Sequence, residues 1–330
     1  MAIRFDSEFS KDRRRLLNHL VLAMAAIKLP GLVSCAPVRP IVLSIHPWVG
    51  YETLYLAREF NWLPDAVVFH EGTSLSDSYA ALQSGRADVA CMTLDEMLRA
   101  RASGIPMSVA LVFDVSAGAD MVLATPGIGK LADLAGKRVG LENNALGILM
   151  LHKLLQAAGL QESSLTLVEL PPDRQPDAWR NKEVDAIITY EPTASLLIHE
   201  GAQRIFDSRQ MPDTIFDVLA VRTDRNMDKR TLRRLVAGHF RALDHMRTYR
   251  QDALYRISVH EYMSVDEVQQ VLAGVTMPTL AANRGYLIGQ DSLLIKAART
   301  LSKTMVQYGL LAQEDDLEGL VMPDTLPGGQ

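Results

Sequence analysis

Ser84-Gly85-Arg86-Ala87-Asp88-Val89-Ala90-Cys91-Met92-Thr93-Leu94-Asp95-Glu96-Met97 is the stretch that decides the fold. Gly85 ends a helical segment. Ala87 to Met92 is then apolar throughout, as expected of a strand covered on both faces of a sheet. Thr93-Leu94-Asp95-Glu96 reads as a capping box, in which the threonine hydroxyl and Glu96 satisfy the first free amides of the next helix. Helix, buried strand and capped helix within so few residues is the unit of an α/β sheet.

The same unit repeats outward in both directions. Ile41 to Ile45, Val67 to His70 and Met107 to Phe113 read as strands, with helices over Tyr51 to Phe60 and Ser76 to Gln83. A second round follows Asp120. Its strands are Met121 to Ala124, Arg138 to Leu141, Leu165 to Leu170, Val184 to Tyr190 and Arg204 to Phe206. Its strongest helix, Ala145 to Ala158, stops at Gly159. Phe216 to Val221 is a further β-prone run that carries the chain back. Residues 228–309 read as helical, with a second capping box at Ser264-Val265-Asp266-Glu267, and 313–330 read as a surface tail. The expected architecture is two α/β lobes, the second inserted into the first: 38–120 plus 222–330, and 121–221.

The chain has 330 residues, 48% hydrophobic and 22% charged, enough for two packed domains. A net charge of −5 argues against a broad nucleic-acid surface. Two cysteines, Cys35 and Cys91, cannot form a zinc ribbon or an iron–sulfur site. No apolar run reaches the roughly 18–20 residues needed to span a bilayer.

Residues 1–34 read as an export signal. Arg13-Arg14-Arg15 precedes a short apolar stretch, and Leu32-Val33-Ser34-Cys35 resembles a lipobox with Cys35 as the lipidated residue. Asp12-Arg13-Arg14-Arg15-Leu16-Leu17 resembles a twin-arginine motif. Cleavage would remove six basic and three acidic side chains, taking the net charge from −5 to −8. Cys91, inside a buried strand, is expected to act as a small hydrophobe.

Five segments, in order, resemble one family. They are Pro47-Trp48-Val49-Gly50-Tyr51-Glu52-Thr53-Leu54-Tyr55-Leu56-Ala57-Arg58, Ala80-Ala81-Leu82-Gln83-Ser84-Gly85-Arg86-Ala87-Asp88-Val89-Ala90, Asp114-Val115-Ser116-Ala117-Gly118-Ala119-Asp120, Leu131-Ala132-Asp133-Leu134-Ala135-Gly136-Lys137-Arg138-Val139-Gly140 and Val184-Asp185-Ala186-Ile187-Ile188-Thr189-Tyr190-Glu191-Pro192. The chain resembles the solute-binding proteins of ABC importers, in the nitrate/sulfonate/taurine and thiamine-precursor-like group. The resemblance implies the two-lobed, type II periplasmic-binding-protein-like fold and capture of a small solute by lobe closure. It also implies an extracytoplasmic, lipid-anchored location and two partners, an ABC permease and its ATPase subunits. The chain has no Walker A sequence, so the nucleotide chemistry would belong to those partners.

Ligands of such sheets bind at strand carboxyl ends. The side chains there are Trp48, Tyr51, Glu52, Thr73, Thr93, Asp114, Ser116, Asp120, Glu142, Asn143, Tyr190 and Glu191. For several of these a structural reading is open beside the ligand one: hinge packing for Trp48 and Tyr51, capping for Thr73 and Thr93, and a first-turn helix acid for Glu52. The acids are the informative members. No Lys or Arg lies in those loops, so a cationic, zwitterionic or nitrogen-heterocyclic solute is expected over nitrate. The rival class is an enzyme on the same fold, like the thiamine-pyrimidine synthases, but their cysteine-rich motif is missing. The eight histidines, His46 among them, show no HExxH spacing. No catalytic residue, metal or cofactor is expected.

Overall fold

The computed structural model describes residues 39–328; the expected export signal, the twin-arginine motif and Cys35 lie outside them. In chain order the main elements are β1 (Ile41–Ile45), α1 (Glu52–Glu59), β2 (Val67–Glu71), α2 (Leu75–Gln83), β3 (Val89–Thr93), α3 (Leu94–Ala102), β4 (Met107–Ser116), β5 (Asp120–Ala124), β6 (Arg138–Leu141), α4 (Ala145–Ala158) and β7 (Thr166–Glu169). They continue with α5 (Gln175–Arg180), β8 (Ala186–Tyr190), α6 (Thr193–His199), β9 (Gln203–Asp207), β10 (Phe216–Arg222), α7 (Lys229–Thr248), α8 (Arg250–His260), α9 (Val265–Leu272), β11 (Val275–Thr276), α10 (Leu280–Leu287) and α11 (Leu293–Gln307).

Two sheets form: a six-stranded one in the order β11-β4-β10-β3-β1-β2 and a five-stranded one in the order β7-β6-β8-β5-β9. The second is inserted into the first, since the chain leaves after β4 and returns with β10. β10 lies wholly in the first sheet, antiparallel to both β3 and β4. The return crossing therefore precedes Phe216, and the expected lobe boundary at 221/222 moves back by a strand. The sheets are also mixed rather than purely parallel, because β5 runs antiparallel to β8 and β9.

β4 shows why the apolar runs are strands. All ten of its residues are buried, as expected of a strand covered on both faces, with β10 and β11 paired along its edges. Cys91 in β3 is buried, and burial pushes its thiol well above the usual range, so it serves as a small core hydrophobe. The C-terminal residues do not lie loosely on the surface as expected. Leu317, Leu320 and Leu326 are buried, Val321 bridges Val109 of β4, and Arg101 makes two hydrogen bonds to Asp315 at 2.8 and 2.9 Å. Apolar residues every few positions in this acidic, Pro-rich tail cover a stretch of β4 that β11 is too short to pair.

One buried polar residue joins the C-terminal helices to that strand. Asn283 on α10 is fully buried; its Oδ1 accepts from Val112 N at 2.8 Å, and its Nδ2 donates to the carbonyls of Val112 and Pro278. Asn283→Ala leaves the Val112 amide and carbonyl unpaired in the core, a cost of about 2–4 kcal/mol. Urea unfolding should show a lower midpoint with an unchanged slope.

Candidate functional site

The strand ends of the two sheets meet, and carboxylates make the junction. Glu142 follows β6 in the second sheet, and its Oε1 accepts from Ser76 N, in the first turn of α2, at 3.0 Å. In return Glu96, on α3 beside the first sheet, accepts from Ala145 N, the first residue of α4, at 2.5 Å. Each half thus places an acid on the positive helix N-terminus of the other, a favourable pairing of charge with dipole. Glu96 consequently does not close the capping box expected from the sequence, and Thr93 makes no side-chain cap bond. The second box, Ser264 with Glu267, forms as expected.

Between these bridges lies a tight polar cluster. Trp48 Nε1 donates to Asp114 Oδ2 at 3.0 Å, and its ring stands edge-on to Tyr190 with centroids 6.0 Å apart. Tyr190 OH reaches Glu142 Oε2 at 3.4 Å. Asp114 faces Asp217 across β4 and β10, and Asp120 faces Tyr190 across β5 and β8. The backbone is close as well. A Cβ on Gly50 would fall 1.7 Å from Asp114 Oδ2, and one on Gly147 2.1 Å from the Glu142 carbonyl. A small cavity of about 10 Å³, on the scale of a single water, remains beside Asp120, Glu142, Asn144 and Thr189.

Eight buried polar atoms of this cluster have no hydrogen-bond partner among the described residues: both oxygens of Asp95, Glu96 Oε2, Asp114 Oδ1, Asp120 Oδ2, Thr93 Oγ1, Thr189 Oγ1 and Asn144 Nδ2. Seven are oxygens. Buried polar groups in native proteins are normally satisfied, so a concentration of orphans marks a site that expects something else. The charges agree. Burial pushes Asp95, Glu96 and Asp120 up to about 7 and Asp114 up to about 8, with neighbouring carboxylates adding to the effect. Asp217 is raised well above the carboxylate range by burial and then by Asp114. One guanidinium, among the described residues, is within ion-pair reach: Arg99, partly exposed, 3.5 Å from Glu96 Oε1. A ligand with several N–H donors and positive charge would satisfy these oxygens and relieve the repulsion. A bare anion would face uncompensated carboxylates.

Of the residues singled out from sequence, Trp48, Thr93, Asp114, Asp120, Glu142 and Tyr190 come together here. Tyr51 sits one layer behind: it is fully buried against His46 and Phe113, and its hydroxyl bonds Asp217. His46 itself is a core residue bonded to Ser78, its pKa lowered by burial to about 3. The remaining five lie outside it, Ser116 and Glu191 at its edge beside Asp120. Glu52 turns away to His260, at 2.9 Å. Thr73 is exposed and gives both its amide and its hydroxyl to Asp77. Ser116 bonds Ser208 at the chain crossing and accepts from the Asp120 amide at 3.3 Å, at the edge of the cluster. Asn143 is exposed, and its neighbour Asn144 holds the buried N-cap position instead, accepting from Gly147 N. Glu191 accepts from Ser195 N and borders a separate cavity of about 510 Å³ with Arg204 and Arg209.

Sequence reasoning missed Asp95, Glu96, Asn144, Thr189 and Asp217. Asp95 and Glu96 directly follow a strand end, but the sequence reads Glu96 as closing a cap with Thr93 and gives Asp95 no separate role. Asp217 is the second residue of β10, and only an antiparallel strand brings its first residues to the junction.

A family model described as NMT1/THI5 like matches residues 52–253. No curated protein matches the chain. Among solved structures, the alkanesulfonate-binding protein SsuA from Xanthomonas axonopodis pv. citri, bound to MOPS, is 16% identical. It superposes with a TM-score of 0.70 over 86% of this chain and 98% of that one. The ligand-binding component of an ABC-type import system from Staphylococcus aureus, solved with zinc bound, is 15% identical, with a TM-score of 0.72 over 88% and 99%. DSZB in complex with biphenyl-2-sulfinic acid is 17% identical, with a TM-score of 0.60 over 88% and 98%. At these identities the likeness is one of fold, the two-lobed fold expected from the sequence.

Proposed function

The chain belongs to the NMT1/THI5-like family, and from that premise we propose that it is the extracytoplasmic solute-binding component of an ABC importer. Its solute is a small nitrogen-rich cation or protonated heterocycle, held between the two sheets. The observation that carries this reading is the set of unpartnered carboxylate oxygens on Asp95, Glu96, Asp114 and Asp120, buried where the lobes meet. Asp114 and Asp120 bind the cationic donors. Trp48 and Tyr190 supply aromatic edges and faces, and Thr93, Thr189 and Asn144 complete the hydrogen bonds. The lobes are residues 39–116 with 216–328, and 120–207. A solute that bridges them favours closure, which a membrane permease then senses.

The role is binding without turnover. The cluster holds acids and hydroxyls that satisfy a ligand but no thiol, since Cys91 lies in the core of β3. Cys35 carries the lipid that tethers the protein to the membrane, and mass spectrometry of the exported product would find a diacylated N-terminus there. The solute class is tested by calorimetry at pH 7.5 on protein unfolded and refolded to remove carried-over ligand. Amines, amidines and aminopyrimidines are compared with alkanesulfonates and nitrate. Binding by members of the cationic set alone is the expected result. Binding by the anions alone, or turnover of any compound tried, would overturn the proposal.

A further inference from the structure

Glu52, dropped from the solute cluster, has a different setting. It is buried at the start of α1, with a side chain 2% exposed. His260, the last residue of α8, places Nδ1 2.9 and 3.1 Å from its two carboxylate oxygens. Glu261 follows directly, and one ligand atom from each of the three residues lies within 4.8 Å of the others. Opposed ligands around a first-row divalent ion are separated by about 4.2 Å, twice a bond of about 2.1 Å, so small side-chain rotations suffice. Among the described residues, neither glutamate has an ion pair with Lys or Arg. Arg58 is committed to Glu71, and Arg256 to Glu59 and Asp252. The imidazole is oriented from behind by the Tyr55 ring, with centroids 4.1 Å apart. Its own side chain is 42% exposed beside a cavity of about 310 Å³, which gives an ion an entry path and room for water ligands.

We propose that Glu52, His260 and Glu261 form a divalent-cation site that ties the start of α1 to the end of α8. Two carboxylates and a neutral imidazole match the charge of one ion and the preferences of the Mn²⁺ to Zn²⁺ range. The ion would fix α1 directly behind Tyr51 and four residues from Trp48, so its occupancy would stiffen the loop that reaches the acidic cluster. The site is separate from that cluster and does not depend on the solute reading.

The test uses the full chain, stripped with EDTA and dialysed, titrated with MnCl₂ by electron paramagnetic resonance and with ZnCl₂ by calorimetry. One ion per chain and a raised melting temperature are expected. His260→Ala and Glu261→Gln should each weaken binding at least about tenfold. His199→Ala, at the separate His199–Glu267 pair, should leave it unchanged. Without metal, His260→Ala strips buried Glu52 of its hydrogen-bond partner and should melt lower than the parent protein, so Glu261→Gln, which keeps that bond, is the deciding variant, with the fold of each checked by circular dichroism. No binding by the parent chain, or a loss under tenfold in a folded variant, would overturn the site.

Discussion

Between pH 6.5 and pH 8 the ligand-free protein loses stability, and its melting temperature falls by several degrees. The sign follows from proton counting. Asp95, Glu96, Asp120 and Glu52 have folded pKa values of about 7, and Asp114 and Glu261 of about 8, against about 4 for exposed carboxylates. Across this window the folded chain holds protons that the unfolded chain has already released. An acid raised in this way stabilises the fold fully below its unfolded pKa, and that contribution drains away as the pH climbs through the folded value. Below pH 6.5 the trend is partly masked. His46 and His239, both lowered to about 3 by burial, stay neutral in the fold while the unfolded chain would protonate them, and this slope has the opposite sign. Above pH 6.5 their remaining titration in the unfolded chain fades out by about pH 7.5 and offsets only a minor part of the acids' effect. An excess of one or two protons is worth roughly 2–4 kcal/mol over the window. Scanning calorimetry at matched ionic strength measures it. A flat or rising profile would mean that the buried carboxylates are already compensated. Saturating cationic solute should flatten the fall, because it holds the same groups ionised.

The acidic character of the site was legible in the sequence because Asp114, Asp120 and Glu142 stand at ends of apolar runs that only a sheet can bury. The helix boundaries were equally plain where a local residue sets them: Gly159 ends α4 in the left-handed conformation, and Ser264 and Glu267 cap α9 within four residues. What stayed hidden depends on distant partners. Nothing local distinguishes a Glu96 that caps its own helix from one that caps Ala145, 49 residues on. Asn143 and Asn144 are chemically equal, and a one-residue step in the helix start decides which is buried. Glu52 reads as a strand-end acid like the others, but α8, more than 200 positions later in the chain, turns it toward His260. The register of β10 brings Asp217 beside Asp114, and that depends on strand direction, which an apolar run does not encode.

Asp114→Asn should stabilise the empty protein at pH 8 and abolish most solute binding, while the same change at Asp88 should do the reverse to stability. Both aspartates are almost fully buried in the first sheet's half, at 0% and 1% exposure. Their partners differ. Asp88 accepts from the Val42 amide at 3.0 Å and from the Arg39 guanidinium at 2.9 Å, so its charge is matched. Replacing it with a neutral amide sacrifices a charge-assisted bond and sets an NH₂ group against a donor, at a cost of about 1–3 kcal/mol. Asp114 receives one bond, from Trp48, and faces a second acid, Asp217, across the strands. An asparagine there keeps an oxygen for Trp48 while removing a buried charge that no cation offsets. At pH 8, where ionisation of the parent carboxyl places an unmatched charge in the core, stability should rise by roughly 1–2 kcal/mol. The gain should shrink at pH 6, where the parent group is already protonated. Loss of one member of a buried ion pair typically costs about 2–5 kcal/mol, so affinity for an aminopyrimidine or amine that binds the parent should fall at least 30-fold. Thermal melts at both pH values and calorimetric titration of the three proteins separate the cases. If Asp114→Asn melts lower than the parent at pH 8, or binds the solute as tightly, then Asp114 is a structural residue with a matched charge, and the strain stored in this cluster does not serve the ligand.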